Sequence, residues 1–383
     1  MLNKQTDKVY ITRLSKFLPN EPVTNERMED FLGMVDGVPS KAKPLILRNN
    51  RIKTRYYAID ENGNSTHSNA ALTAEAIRGL FGKGFSASDI DLLACGTTSP
   101  DQLLPSHAAM VHGELLDKPV EIVSMAGSCC SGMHAMRYAY MSVLSGERKN
   151  AVCTGSEKLS TWMLARNFKS EPDIKARIGD KPIVAFEKDF LRWMLSDGAG
   201  AALLNPEPAK DGVSLRIDWI ESASFANEME TCMYAGGEKL DGGGFRGWRE
   251  FDAEEIKEKT LFSLRQDVGL LGENIVPKGT AYFMEIIKRR GFDVGRLNWF
   301  LPHLSSEYFR QRIADELVRF GIDIPQEKWF TNLTRLGNVG AASIYFMLEE
   351  LFHSGRLEKG HTILCMIPES ARFSYVYALL TVV

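Results

Sequence analysis

Two stretches of this chain are built alike, and any fold must accommodate both. Gly127-Ser128-Cys129-Cys130-Ser131-Gly132-Met133 stands between an apolar run and a helical pattern, and Leu336-Gly337-Asn338-Val339-Gly340-Ala341-Ala342-Ser343-Ile344 opens another helical pattern. The segments after them also match. Residues 131–157 read as a helix, the turn Ser145-Gly146-Glu147-Arg148 and the strand Ala151-Val152-Cys153. Residues 340–367 read as a helix, the turn Ser354-Gly355-Arg356 and the strand Thr362-Ile363-Leu364-Cys365. Upstream, residues 92–99 parallel residues 299–305, each a strand passing into a polar turn. A repeat that occurs only twice indicates a duplicated α/β unit rather than a solenoid.

Short apolar runs alternating with periodic segments indicate α/β layers. Strands are expected at 89–95, 120–124, 150–154, 199–204, 297–302, 362–367 and 374–382, and helices at 69–81, 131–144, 254–270, 305–319 and 341–352. Pro206-Glu207-Pro208-Ala209-Lys210-Asp211-Gly212 reads as a junction. It divides the chain into an N-terminal half (1–205), a junction (206–213) and a C-terminal half (214–383). Residues 163–192 and 222–250, the latter with Asp241-Gly242-Gly243-Gly244, fit the repeat poorly and read as insertions. Insertions of that length serve as lids, binding loops or surface decoration.

A chain of 383 residues is long enough for two fused halves. Its net charge of −3 makes no whole-chain case for nucleic-acid binding. No apolar run approaches the ~20 residues of a membrane span. Met1–Lys8 has no apolar core of the signal-peptide kind. The six cysteines, Cys95, Cys129, Cys130, Cys153, Cys232 and Cys365, show no paired metal-ligand spacing. A reduced, cytoplasmic protein without a bound metal is the expectation.

The chemistry sits where the repeats turn. Cys130 directly precedes Ser131-Gly132, which lets the backbone turn into the next helix, and the positive end of a helix dipole favours thiolate. Cys129 competes for the role and would suit an apolar pocket; either thiol has a buried structural reading. Leu301-Pro302-His303 ends an apolar run, and Asn338 stands in a comparable place in the same half. Each of these has a bland reading, a hydrogen-bonded histidine and a helix cap. Together they suggest a thiolate that carries an acyl group and two neutral donors that hold an enolate oxygen. That set favours carbon–carbon bond formation by Claisen condensation.

These motifs resemble the thiolase superfamily, specifically the β-ketoacyl-acyl-carrier-protein synthase III group. The resemblance extends to Gly96-Thr97-Thr98-Ser99-Pro100, Gly155-Ser156-Glu157-Lys158-Leu159-Ser160 and Ser196-Asp197-Gly198-Ala199-Gly200. It implies a five-layered αβαβα sandwich of two similar halves, a homodimer, and acyl thioesters on phosphopantetheine as substrates with no permanent cofactor. By resemblance Cys130 is the acylated nucleophile, whose N–H contributes to the oxyanion hole, and His303 and Asn338 stabilise the enolate or assist decarboxylation.

The departures from the family pattern also carry expectations. Asp36–Pro44 lacks the tryptophan that stacks on adenine in relatives using free acyl-CoA. Pro368-Glu369-Ser370-Ala371-Arg372-Phe373 replaces a glycine-rich loop, so the N–H near Ala371 is the expected second oxyanion donor. Arg372 reads either as a contact to substrate or as an ion pair. Arg48, Arg51, Lys53 and Arg55, with Arg246 and Arg249, would form a basic entrance for an acyl carrier protein, or a solvated charged turn. Glu157 reads either as a base in a later step such as cyclisation or as a structural carboxylate.

The sequence looks closest to ketosynthases that make dialkylresorcinol or flexirubin-type precursors. These are implied to join a β-ketoacyl thioester with a second, enoyl thioester into a cyclohexanedione, which a downstream aromatase would process. Three alternatives stand beside it: the initiation enzyme condensing acyl-CoA with malonyl-carrier protein, an acyltransferase to an oxygen or nitrogen acceptor, and a non-catalytic ketosynthase subunit. The intact cysteine, histidine and asparagine argue against the last. A degradative thiolase would need a second cysteine in the 368–373 loop, which has none.

Overall fold

The computed structural model describes residues 6–168, 190–240 and 244–383. Nine strands form one sheet: β1 Tyr10–Phe17, β2 Leu92–Thr97, β3 Glu121–Ala126, β4 Ala151–Glu157, β5 Gly198–Asn205, β6 Leu215–Ser224, β7 Trp299–Pro302, β8 Thr362–Glu369 and β9 Ser374–Val382. Their order is β7-β8-β9-β6-β1-β5-β4-β2-β3. The sheet is two sub-sheets joined where β1 meets β6, through the short pairing of Tyr10 with Arg216 and Ile11 with Leu215 and the Ile217 N–H donated to the Val9 carbonyl.

The duplication is explicit in the pairing. In one half β1 and β4 flank β5 antiparallel, and β4 pairs parallel with β2. In the other, β6 and β8 flank β9 antiparallel, and β8 pairs parallel with β7. Edge strand β3 pairs parallel with β2. Its counterpart beside β7 is reduced to a single parallel bridge, Phe300–Trp329.

Strand parity assigns the layers, because successive side chains point to opposite faces. Leu92 and Ala94 of β2 and Ile363 and Cys365 of β8 share one core with Met133, Met136, Tyr345 and Leu348. Leu93 and Cys95 face a second core with Ile77 and Val111, and Leu364 and Met366 face a third with Phe283 and Phe309. The helices that supply those residues are α1 Asn69–Arg78, α2 His107–Leu115, α3 Ser131–Leu144, α4 Val268–Arg290, α5 Tyr308–Arg319 and α6 Ser343–Phe352. So α3 and α6 lie between the sub-sheets, α1 and α2 cover one outer face, and α4 and α5 cover the other. That is the expected αβαβα sandwich.

The two inner helices meet where glycine removes the obstacle. A Cβ on Gly132 would stand 2.4 Å from the Ala341 carbonyl oxygen, and one on Gly155 would stand 2.2 Å from the same atom. Tyr345 reaches across and donates its hydroxyl to the Gly132 carbonyl at 2.8 Å. The helix starts that carry the cysteines and Asn338 are thereby brought together.

The helix expected over 254–270 is the main correction. Asp252 caps a short helix, Ala253–Glu258, and Thr260 then takes a left-handed φ of 46°. Arg265–Gln266 pairs with Met233–Tyr234, and Asp267 caps α4, a long helix the periodicity reading missed. Two N-capping aspartates fifteen residues apart mark two helices rather than one. Parts of both presumed insertions, residues 169–189 and 241–243, lie outside the described residues.

Gly155→Ala would force the Ala341 carbonyl aside. We expect a loss of about 1–3 kcal/mol, read as a lowered chemical-denaturation midpoint, whereas Gly247→Ala, with nothing within 4 Å of the added methyl and φ −80°, tests a glycine away from that contact.

Candidate active site

One apolar cavity collects residues from both halves. Thr98 follows β2, Ser128 and Cys129 precede α3, His303 follows β7, Asn338 and Gly340 precede α6, and Ser370 follows β8; all of them line it. The remainder of the wall is largely hydrocarbon, including Met194, Leu264, Leu271, Ile275, Phe309 and Ile313.

The adjacent cysteines part company here. Cys129 lines the cavity and is half-buried. Cys130 is 0% exposed, packs in the core shared by the sub-sheets and directs its Sγ at the Ile367 carbonyl, 3.3 Å away. This corrects the expectation for Cys130: the turn into α3 aims its side chain at the sheet. Nor is either thiol held as thiolate. Burial, then the Glu369 charge, push Cys129 up to about 12 and raise Cys130 well above its ordinary value. The helix dipole does not overcome desolvation.

His303 is held through its backbone, whose N–H donates to the Met366 carbonyl at 2.8 Å. Its ring is buried, which lowers its pKa to about 4 and keeps it uncharged near neutrality. Its Nε2 has no partner among the described residues. Asn338 is fixed at both ends of its peptide, its N–H donating to Met194 and its carbonyl accepting from Ser196. Its Oδ1 accepts from the Gly340 N–H at 3.0 Å, leaving the amide NH2 as the end available to the cavity.

Glu157 does not line the cavity. It is fully buried and accepts from the Thr98 hydroxyl (2.6 Å), the Ser99 hydroxyl (2.7 Å) and the N–H groups of Thr98 and Ala341. It thus ties the turn after β2 to the start of the segment entering α6. A Cβ on Gly340 would lie 2.7 Å from its Oε1, and Gly340 takes φ +46°, so only glycine fits there. Burial raises the Glu157 pKa from 4.5 to about 7 against the hydrogen bonds that lower it. Asp197 works similarly, accepting from the N–H groups of Ala58, Leu159 and Ser160.

The basic candidates separate. Arg48, Arg51 and Lys53 are exposed, and among the described residues no ion pair involves them. Their turn abuts the segment after His303: Glu307 N–H donates to the Asn50 carbonyl, and Lys53 N–H donates to Thr334. Arg55 is a correction. It is 0% exposed and donates to Asn25 Oδ1 at 2.7 Å, so it presents no charge at an entrance. Arg246 is engaged with Glu255 and lies 3.8 Å over the Phe251 ring, and Arg249 lies over Trp248.

The 368–373 loop also differs from expectation. Pro368 and Ser370 line the cavity, whereas Ala371 does not; the Ala371 carbonyl accepts from Cys232 and Met233. Arg372 is exposed and donates to the Met229 carbonyl, making no ion pair among the described residues. Ser128, Gln266 and Ser370 were invisible to the sequence reading, because nothing in their spacing marks them as cavity residues. Cys129 had a signal, its alternation with Cys130.

Comparison with known proteins agrees with this architecture. Residues 287–367 match the family described as 3-oxoacyl-[acyl-carrier-protein (ACP)] synthase III C terminal. A β-ketoacyl-[acyl-carrier-protein] synthase III of Clostridium perfringens is 26% identical over 349 residues, 91% of each chain. One from Chlorobaculum tepidum is 24% identical over 93% of this chain and 94% of its own. Among solved structures, the tetronic acid condensing enzyme AbyA1 superposes with a TM-score of 0.75 at 18% identity, covering 97% and 99% of the two chains. Xanthomonas campestris OleA with bound lauric acid and lauroyl-CoA superposes with a TM-score of 0.71 at 18% identity, covering 98% and 99%. Across nearly its whole length the chain is thus similar to β-ketoacyl-carrier-protein synthase III enzymes, which are acyltransferase-type condensing enzymes, and it has the fold of the solved condensing enzymes.

The raised Glu157 pKa carries a linkage sign. The folded state holds its proton more tightly than the unfolded chain, so its contribution to stability is full below pH 4.5 and is lost as pH rises to about 7. Stability of the wild type relative to Glu157→Gln should fall across that window, by at most about 1.4 kcal/mol per pH unit. Urea unfolding of both proteins at several pH values checks this; parallel curves contradict it.

Proposed function

We propose that this condensing enzyme carries its acyl group on Cys129 and joins it to a second acyl thioester at the cavity between the two halves. The observation behind this reading is that Cys129, a neutral His303 and the Asn338 amide line one apolar cavity, while Cys130 does not reach it. Cys129 Sγ attacks the donor thioester carbonyl. The tetrahedral intermediate collapses by expelling the pantetheine thiol, which leaves with the cysteine proton, so one thioester replaces another. A burial-raised thiol reacts this way when the incoming donor and the oxyanion donors stabilise the charge that forms only during attack.

In the second half-reaction the α-carbon of the other thioester becomes the nucleophile. In its Nε2–H tautomer His303 donates to the enolate oxygen, and Asn338 donates its NH2 to the same atom. Two neutral donors in an apolar site stabilise a developing anion without neutralising it beforehand. The carbanion, formed by loss of the α-proton, attacks the acyl carbon, and Cys129 leaves as a thiolate that takes up a proton, so a C–H and a C–S bond are exchanged for a C–C and an S–H bond.

The hydrocarbon wall favours a long acyl chain. Within that class we infer a β-ketoacyl thioester joined to an enoyl thioester, giving a cyclohexanedione that a partner aromatase would complete. The missing tryptophan over residues 36–44 and the exposed Arg48, Arg51 and Lys53 turn support a carrier-protein donor over free CoA. A homodimer is supported by edge strand β3, with partly exposed Ile122, Val123 and Met125, and by the exposed Leu103 and Leu104, at 70% and 86%. The N-terminal half would then supply the nucleophile and the C-terminal half His303 and Asn338.

Intact-protein mass after incubation with acyl donors tests the first step. Wild type and Cys130→Ala should gain one acyl group and Cys129→Ala none; an adduct on Cys129→Ala contradicts the assignment. His303→Ala and Asn338→Ala should still acylate yet lose condensation by about 10²–10³, as measured by product formation. A variant losing acylation instead places that residue in the first step.

Replacing Arg48, Arg51 and Lys53 together by alanine should raise KM for an acyl-carrier-protein donor severalfold and flatten its salt dependence. KM for the matching acyl-CoA should stay unchanged. Equal effects on both donors would contradict a docking role.

A further inference from the structure

Glu369, within the segment that stands in place of a glycine-rich loop, reaches back to the turn that carries the nucleophile. Glu369 ends β8 and is 9% exposed. Its Oε2 accepts from the Ser128 N–H at 3.1 Å and from the Cys130 N–H at 3.0 Å. The amides on either side of Cys129 therefore converge on a single carboxylate oxygen. The Cys129 N–H between them donates to no carbonyl or carboxylate among the described residues. The Cys130 Sγ contact to Ile367 adds a third link between this turn and the same strand.

From this arrangement we infer that Glu369 is a positioning residue. It latches the turn before α3 to β8 and leaves the Cys129 N–H free to meet the oxyanion of an acylating thioester. The inference rests on Cys129 being the nucleophile. A sequence without glycine at 370–372 then obtains its ordered turn from a side chain of the neighbouring strand. Burying a carboxylate beside a thiol opposes thiolate formation, so the same residue that orders the turn also restrains the free cysteine. The groups acting on Cys129 from around it are Glu369 on β8, Glu157 on β4 and the Ser128 hydroxyl, with uncharged His303 in the cavity.

Two reactions of Cys129 separate geometry from charge. Alkylation by iodoacetamide reads thiolate content and needs no oxyanion hole, whereas acyl transfer from a lauroyl-loaded acyl carrier protein needs both. Both are followed by peptide mass on wild type, Glu369→Gln and Glu369→Ala, from about pH 6 to about pH 10. Gln keeps one carbonyl oxygen for the two amides and removes the charge.

We expect Glu369→Gln to acylate within a fewfold of wild type, with its alkylation profile displaced to lower pH. We expect Glu369→Ala to alkylate at least as fast as wild type yet acylate about a hundredfold more slowly. Wild-type acylation by the alanine variant, or equal impairment of both variants, overturns the inference. A wild type that takes no acyl group on Cys129 overturns the nucleophile assignment instead, and this inference with it.

Discussion

The contact between the starts of the two inner helices is the constraint on which the rest depends. Gly132 and Gly155 present bare backbone to the Ala341 carbonyl, and a methyl at either would need space already filled. Only because these elements touch can a cysteine from one half share a cavity with an asparagine and a histidine from the other. The neighbouring carboxylates then serve that contact. Glu157 binds the N–H of Ala341 to the turn after β2, and Glu369 binds the turn before α3 to β8. Buried carboxylates are costly unless several donors meet them, and here each one spans two segments that the sheet alone would leave separate.

The site is assembled by desolvation as much as by contact. Burial keeps His303 uncharged and raises both Cys129 and Glu157. Such an environment penalises resting charge and rewards charge that appears while donors are already in place. Neutral imidazole and carboxamide donors around an apolar chamber are consistent with a reaction whose anions are transient. In the proposed reaction the same hydrocarbon wall would provide the surface for an acyl chain.

Much of this was legible beforehand because duplication writes itself into spacing. The polar turns and the strands they follow gave away the repeat, and the paired glycine-rich helix starts located the chemistry. What stayed hidden depended on direction rather than spacing. Cys129 and Cys130 differ by one residue at a helix entrance, and which side chain faces the cavity is set by the turn that Glu369 and Ile367 fix from a strand some 240 residues away. Arg55 is two residues from exposed Lys53, yet the short pairing of Thr54–Arg55 with Val23–Thr24 turns its side chain inward. The 254–270 segment reads as one helix because its apolar residues recur at near-helical spacing, while the left-handed Thr260 and the capping role of Asp267 are local backbone events.

The central claim is that Cys129, rather than its neighbour, carries the acyl group. The most direct measurement is tandem mass spectrometry of the peptide spanning Gly127–Arg137 from wild-type enzyme trapped after one acyl transfer. Fragment ions that place the added mass on Cys129, with Cys130 unmodified, are the result this account predicts. Fragments that place it on Cys130 would contradict it, since that thiol would have to leave the Ile367 carbonyl and the core to reach the substrate.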